Sequence, residues 1–238
     1  MLLPKEMKYD LAIATTYFAG PYGNCDGEDR AEYFDQMLES ARHVDWPSDK
    51  RFLWIVSDDA SIIPARVTNL PIDFMLVRHT KNKGNLDNIT WVVGEAAKWA
   101  EWVMYADNDG MFSRDCFHRM FALLARYPWC NAFTAFNTKY HGKVALPISD
   151  DRLMQMGVTE VDFPDHCLKQ STCEHGFTFR ADNWANDGTW SCNLMSGLRC
   201  ENPPYPCLKP SGLQHIGKRG LNGTMDDYDV DFVLEGVS

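Results

Sequence analysis

Nowhere in this sequence do apolar residues run together for the roughly 18–20 positions that a membrane-spanning helix needs. The opening segment, Met1-Leu-Leu-Pro-Lys-Glu-Met-Lys8, lacks the apolar core of a secretory signal. Both absences set the expectation of a soluble, cytoplasmic protein with no membrane partner. Positive charge is scarce as well: 23 Lys and Arg stand against 33 Asp and Glu, giving a net charge of −10 and a pI near 5.1. That balance argues against broad non-specific nucleic-acid binding and leaves room only for local basic patches. Internal repeats and low-complexity segments are missing too. What is present is a hydrophobic share of 45% with 8 Trp and 13 Phe in 238 residues, enough for a sizeable core. The eight Cys of a cytosolic chain read as thiols, not as a disulfide framework. Five fall late: Cys167, Cys173, Cys192, Cys200 and Cys207. With His166 and His175 they are candidates for a structural zinc site, although their spacings match no common zinc pattern.

The first 136 residues alternate strand and helix. Strands are expected at Tyr9–Thr16, Arg51–Val56, Ile72–Val77, Trp102–Ala106 and Asn131–Phe136. Helices are expected at Glu32–Val44, with Phe34, Met37, Leu38 and Ala41 inward, and at Leu86–Ala100, with Leu86, Ile89, Val93, Ala96 and Ala100 inward. A third helix follows Ser113 as its cap, from Arg114 to Arg126, with Phe117, Met120, Phe121 and Leu124 on its core face. This order implies an α/β fold with a mostly parallel sheet and helices on both faces. From Asn137 onward Gly, Pro, Asn and Asp become frequent, and only Gly176–Arg180 reads as a strand. The expectation is one domain over 1–238. Residues 1–136 form its ligand-binding half, and a loop-rich 137–238 is laid over the sheet's C-terminal edge. The acidic end, Met225-Asp-Asp-Tyr-Asp-Val-Asp231, reads as a solvated tail or lid.

Chemistry concentrates where strands end. The apolar stretch Glu101-Trp-Val-Met-Tyr-Ala106 runs into Asp107-Asn108-Asp109-Gly110. Two carboxylates one residue apart, at the edge where open α/β sheets bind ligands, are costly without a cation to neutralise them. Oxygen ligands of this kind suit Mg²⁺ or Mn²⁺ shared with substrate phosphates. The second strand likewise ends in Val56-Ser-Asp-Asp-Ala-Ser61, and Asp58 or Asp59 can accept an N–H such as that of a pyrimidine N3. Lys81-Asn-Lys-Gly-Asn-Leu-Asp-Asn88 opens a helix, where N–H groups and two lysines favour an anion and Gly84 permits close approach. Downstream, Pro210-Ser-Gly-Leu-Gln-His-Ile-Gly-Lys218 offers His215 for a metal and Lys218 for a diphosphate. Taken singly, each piece is also an ordinary turn, cap or satisfied histidine.

Taken in order, these pieces resemble the GT-A glycosyltransferases, especially the large family-2-like group. The resemblance covers residues 9 to 136 and resumes from Gly176-Phe-Thr-Phe-Arg-Ala-Asp-Asn-Trp184 to Lys218. It implies a single GT-A domain that moves a sugar from a nucleotide-sugar, best a UDP-sugar, to a hydroxyl. The enzyme would be of the hexosyl- or N-acetylhexosaminyl-transferase class, with Mn²⁺ or Mg²⁺. It implies that Thr15, Thr16, Asn82, Gly84 and Asn88 lie along the donor, with Asp58 or Asp59 on the base. Asp107 would face the ribose or metal, Asp109 and His215 would ligate the metal, and Lys218 would meet the diphosphate. The family's acceptor-side Glu-Asp pair has no clear counterpart; Asp182 and Asp187 lie nearest in sequence and are the candidates for the catalytic base. The acceptor is either a saccharide or protein hydroxyl or a 5-hydroxymethylpyrimidine in phage-type DNA, with a bacterial or phage-infected cytosol as the setting. Arg78, Lys81, Lys83, Lys139, Lys143, Lys218 and Arg219 would meet DNA phosphates. The rivals are a nucleotidyltransferase, disfavoured by the acidic stretch after the first strand, and a non-enzymatic sugar-binding module.

Overall fold

The computed structural model describes residues 8–21, 27–137, 160–169, 175–184 and 205–216. Strand β1 (Tyr9–Tyr17), helix α1 (Gly27–Arg42), β2 (Phe52–Asp58), β3 (Asp73–Arg78), α2 (Asn85–Ala96) and β4 (Ala100–Tyr105) form the first half. Then come β5 (Gly110–Phe112), α3 (Cys116–Arg126), β6 (Ala132–Thr134), β7 (His166–Lys169), β8 (Phe177–Arg180), β9 (Tyr205–Leu208) and β10 (Leu213–His215). Eight strands make one sheet in the order β3-β2-β1-β4-β8-β6-β9-β7, and β5 with β10 makes a separate two-stranded ribbon.

Strands β3, β2, β1 and β4 run parallel. Beyond β4 the directions mix: β8 is antiparallel to β4 and β6, β9 is parallel to β6, and β7 is antiparallel to β9. Every residue of β2 is buried, as a central strand covered on both faces requires. One face carries α1 and α3, with Phe34, Met37, Leu38, Ala41, Phe117 and Met120 packed on Leu11, Trp54 and Met104. The other carries α2, with Ile89, Val92, Val93 and Ala96 on Ala12, Ile55 and Val103. The α/β fold with helices on both faces is therefore as expected.

Several local expectations fail for identifiable reasons. Leu86 is exposed in the first turn of α2. Ala100 is the first residue of β4, not the end of the helix. Ser113 does not cap α3: its hydroxyl donates to Asp115, which holds the cap position. Segments 166–169 and 205–208, expected as loops over the edge, extend the sheet instead. They are only four residues each, and one contains Pro206, which argues against a strand when read in sequence. No helix among the described residues is long and apolar enough to cross a membrane.

Candidate metal and donor site

The Asp107-Asn108-Asp109 turn lies at the C-terminal end of β4, next to the ends of β1 and β2. Directly after the turn, Gly110 starts β5, and β10 pairs antiparallel with it so that His215 faces Gly110 in register. The Ile216 amide donates to the Asp109 carbonyl at 2.8 Å. This ribbon brings a histidine from more than a hundred positions away onto the turn. His215 Nε2 lies 3.0 Å from Asp109 Oδ2. One ligand atom each from Asp107, Asp109 and His215 lie within 4.8 Å of one another. Asp109 is buried, and its Oδ1 has no hydrogen-bond partner among the described residues. An unanswered buried carboxylate oxygen is expensive. Two carboxylates and one imidazole converging there fit a divalent cation.

Tyr105 and His175 hold the turn. The Tyr105 hydroxyl donates to Asp107 Oδ1 at 2.6 Å and lies 3.1 Å from Thr16 Oγ1. The Asp107 amide donates to His175 Nδ1 at 3.1 Å, and that nitrogen is 3.4 Å from Asp107 Oδ2. Burial works to raise the Asp107 carboxyl; the His175 imidazole, the Tyr105 hydroxyl and His215 outweigh it and hold it at about 2. For His215, burial works to lower the imidazole, but the hydrogen bond and charge of Asp109, with the charge of Asp107, raise it above its ordinary value. Arg30, in the first turn of α1, lies close enough to oppose that rise. Sequence reasoning missed Tyr105 and Arg30 as site residues and took His175 for a zinc candidate. A signal existed for Tyr105, which stands two positions before Asp107 on an alternating strand.

The second acidic strand end is built differently. Asp58 Oδ1 accepts the Ser61 amide at 2.9 Å, its Oδ2 accepts the Ala65 amide at 3.1 Å, and Arg78 Nε stands 3.7 Å away. Asp59 accepts the Lys83 amide at 2.8 Å and the Gly84 amide at 3.0 Å. Asn82 Oδ1 also accepts the Gly84 amide. Gly84 takes φ 84°, a left-handed value that suits glycine. Buried Asn88 binds Ser57 through both ends of its amide. These residues form one rim that ties the end of β2 to the start of α2. Thr15 accepts a hydrogen bond from Trp54 Nε1 at 3.0 Å within the core, so of the two threonines only Thr16 joins the Asp107 network.

Asp182 is not brought to this site. Strand β8 leaves the site antiparallel to β4, with Thr178 opposite Met104 and Arg180 opposite Trp102, so Asp182 follows at the opposite edge of the sheet. There it pairs with Arg180 at 3.2 Å. Asp182 is thus set apart from Asp107, Asp109 and His215. Asp187, Lys218, Lys139, Lys143 and Arg219 lie outside the described residues. Arg78 is committed to Asp58 and the Ser61 carbonyl. The zinc expectation does not materialise among the described residues. Cys167 and Cys207 face each other as buried thiols on β7 and β9, and His166 binds Tyr127 and Asp165, whereas His175 turns to Asp107. Cys173, Cys192 and Cys200 lie outside the described residues.

No protein-family model matches the chain, and no curated protein sequence does. Solved structures do. The S. aureus TarS fragment 1–349 in complex with UDP-GlcNAc is similar over 90% of this chain and 60% of its own, at 12% identity and a TM-score of 0.53. The same fragment with UDP is similar over 86% and 59%, at 10% identity and a TM-score of 0.51. This chain thus spans about 60% of the length of those structures. Their likeness is one of fold, and this chain shares with them a mixed α/β sheet carrying helices on both faces.

Proposed function

We propose that this protein is a metal-dependent glycosyltransferase that moves a hexosyl or N-acetylhexosaminyl group from a nucleotide-sugar, best a UDP-sugar, to a hydroxyl acceptor. One observation carries the reading. Asp107 and Asp109 meet His215, more than a hundred positions away in sequence, at the strand edge with a buried Asp109 oxygen unanswered. The ion held there, Mn²⁺ or Mg²⁺, would supply Lewis-acid stabilisation of the leaving diphosphate. The chain's own residues do the rest. Asp109 and His215 ligate, Asp107 completes the set or receives the ribose, and Thr16 with Tyr105 fixes the Asp107 carboxylate. Arg30 adds positive charge close to His215. We assign the base to the Asp58–Gly84 rim, where a remaining carboxylate lone pair of Asp58 or Asp59 receives the uracil N3–H. The acceptor is a saccharide or protein hydroxyl in this reading.

A thermal-shift screen of nucleotides and nucleotide-sugars with and without Mn²⁺ tests it. Ligand that binds only the folded state raises the melting temperature by mass action. A metal-dependent shift with UDP or a UDP-sugar is expected. No shift with any nucleotide at saturating metal would refute the donor site.

A further inference from the structure

We propose that His175 is a positioning residue of the cation site, fixing Asp107 in the geometry in which it acts with Asp109 and His215. The inference rests on the reading of that trio as a metal site. His175 is 5% exposed, and its Nδ1 receives the Asp107 amide at 3.1 Å. An amide donates, so Nδ1 is the acceptor in this hydrogen bond. The first peptide of the Asp-x-Asp turn is therefore tied to the imidazole, while Tyr105 ties the Asp107 carboxylate from the other side. The ring also stands edge-on to His215, with centroids 5.4 Å apart, and edge-on to Phe136 at 5.3 Å.

Two glycines make this placement possible. A Cβ on Gly110 would come within 2.7 Å of His175 Cε1 and 3.1 Å of Nε2, so no side chain fits at that point of β5. Gly176, at φ 70°, turns the chain from His175 into β8 while its amide donates to the Tyr105 carbonyl at 2.9 Å. A side chain there would also crowd Phe136 and Leu213. The end of β4, the start of β5 and the entry to β8 are thus arranged around one imidazole. Groups that orient metal ligands from behind in this way typically contribute about 10–100-fold in affinity.

The test is Mn²⁺ titration of the full chain with UDP present, followed by electron paramagnetic resonance, with melting curves as the check on folding. Wild type, Asp109→Ala, His175→Leu and His175→Asn are compared. Asn keeps an acceptor near the Nδ1 position; Leu fills similar space without one. His175→Leu is expected to bind Mn²⁺ about 10–100-fold more weakly, and His175→Asn to recover most of the loss. Equal weakening by both variants at equal melting temperature, or wild-type binding by His175→Leu, would overturn the proposal. Should His175→Leu not fold, His175→Gln, which moves the polar end toward the Nε2 position, replaces it and is expected to bind more weakly than His175→Asn. Loss of binding in Asp109→Ala without loss in His175→Leu would overturn this inference alone. A wild type that binds no Mn²⁺ would overturn the donor-site reading together with it.

Discussion

At the end of β2, Asp58 and Asp59 follow a buried apolar strand; at the end of β4, Asp107 and Asp109 follow another. Written as sequence the two ends look alike, each a hydrophobic run closing on paired acids. In the structure the first pair is answered from within the chain. Four backbone amides, those of Ser61, Ala65, Lys83 and Gly84, donate to its carboxylates, and Arg78 stands beside Asp58. The second pair has the Tyr105 hydroxyl and the His175 imidazole beside Asp107 and the His215 imidazole beside Asp109, receives no backbone amide among the described residues, and keeps a buried Asp109 oxygen left over. A carboxylate held by two amides of its own loop is fixed in place and keeps a spare lone pair for a neutral N–H donor, without calling for a cation. A carboxylate left short, beside a second acid and an imidazole, has the donor set that a divalent cation would fit.

The strongest way to break this contrast is to exchange the expected phenotypes. Asp109→Ala should lower turnover about a thousandfold, the several kcal/mol of transition-state stabilisation a metal supplies, while the melting temperature holds or rises. An active Asp109→Ala protein would erase the distinction between the two ends. Asp58→Ala should do the reverse. It strands two buried amides that bound a charged group and should cost about 2–4 kcal/mol in denaturant unfolding, with Mn²⁺ affinity of the folded fraction unchanged. Wild-type stability in that variant would show that the rim at β2 is not held as described.

A finer test concerns the base. UDP should bind more tightly than CDP by about 1–3 kcal/mol, because cytosine has no N3 proton to offer the carboxylates at β2. Calorimetry giving equal affinities would remove those acids from the donor site. The smallest expected effect is on pH. The His215 imidazole is raised in the folded protein, chiefly by Asp109 against the opposing effect of burial. Its pairing therefore contributes stability that is complete below about pH 6.5, the unfolded value. That contribution is lost as pH rises through the raised folded value. Metal-free wild type should lose melting temperature relative to His215→Gln across that window. Metal affinity should climb over the same range, since the ion displaces the proton. Parallel melting profiles for the two proteins would contradict the His215–Asp109 pairing.

Much of the first half was legible because period and length agree there. The faces of α1 and α3 repeat at helical spacing, and β2 and β4 are apolar runs closed by acids. Asp107, Asp109 and His215 were also legible as a set, through the order of their motifs. What sequence could not give was who answers whom. Asp58 and Asp107 differ only in whether a neighbouring loop turns its amides inward, which is a property of the fold. His175 hid because its role depends on β8 lying antiparallel beside β4, and on Gly110 leaving space. The same antiparallel direction carries Asp182 away from the site it was expected to serve. Strands β7, β9 and β10 are too short to show a period.

In the proposed function Asp109 and His215 hold one divalent ion for a nucleotide-sugar. The most direct test is a crystal structure with Mn²⁺ and UDP, located by the anomalous signal of manganese. A peak about 2.0–2.3 Å from an Asp109 oxygen and a His215 nitrogen is predicted. A manganese peak with the His215 nitrogen more than about 3 Å away, or bound instead at Asp58 and Asp59, would contradict it.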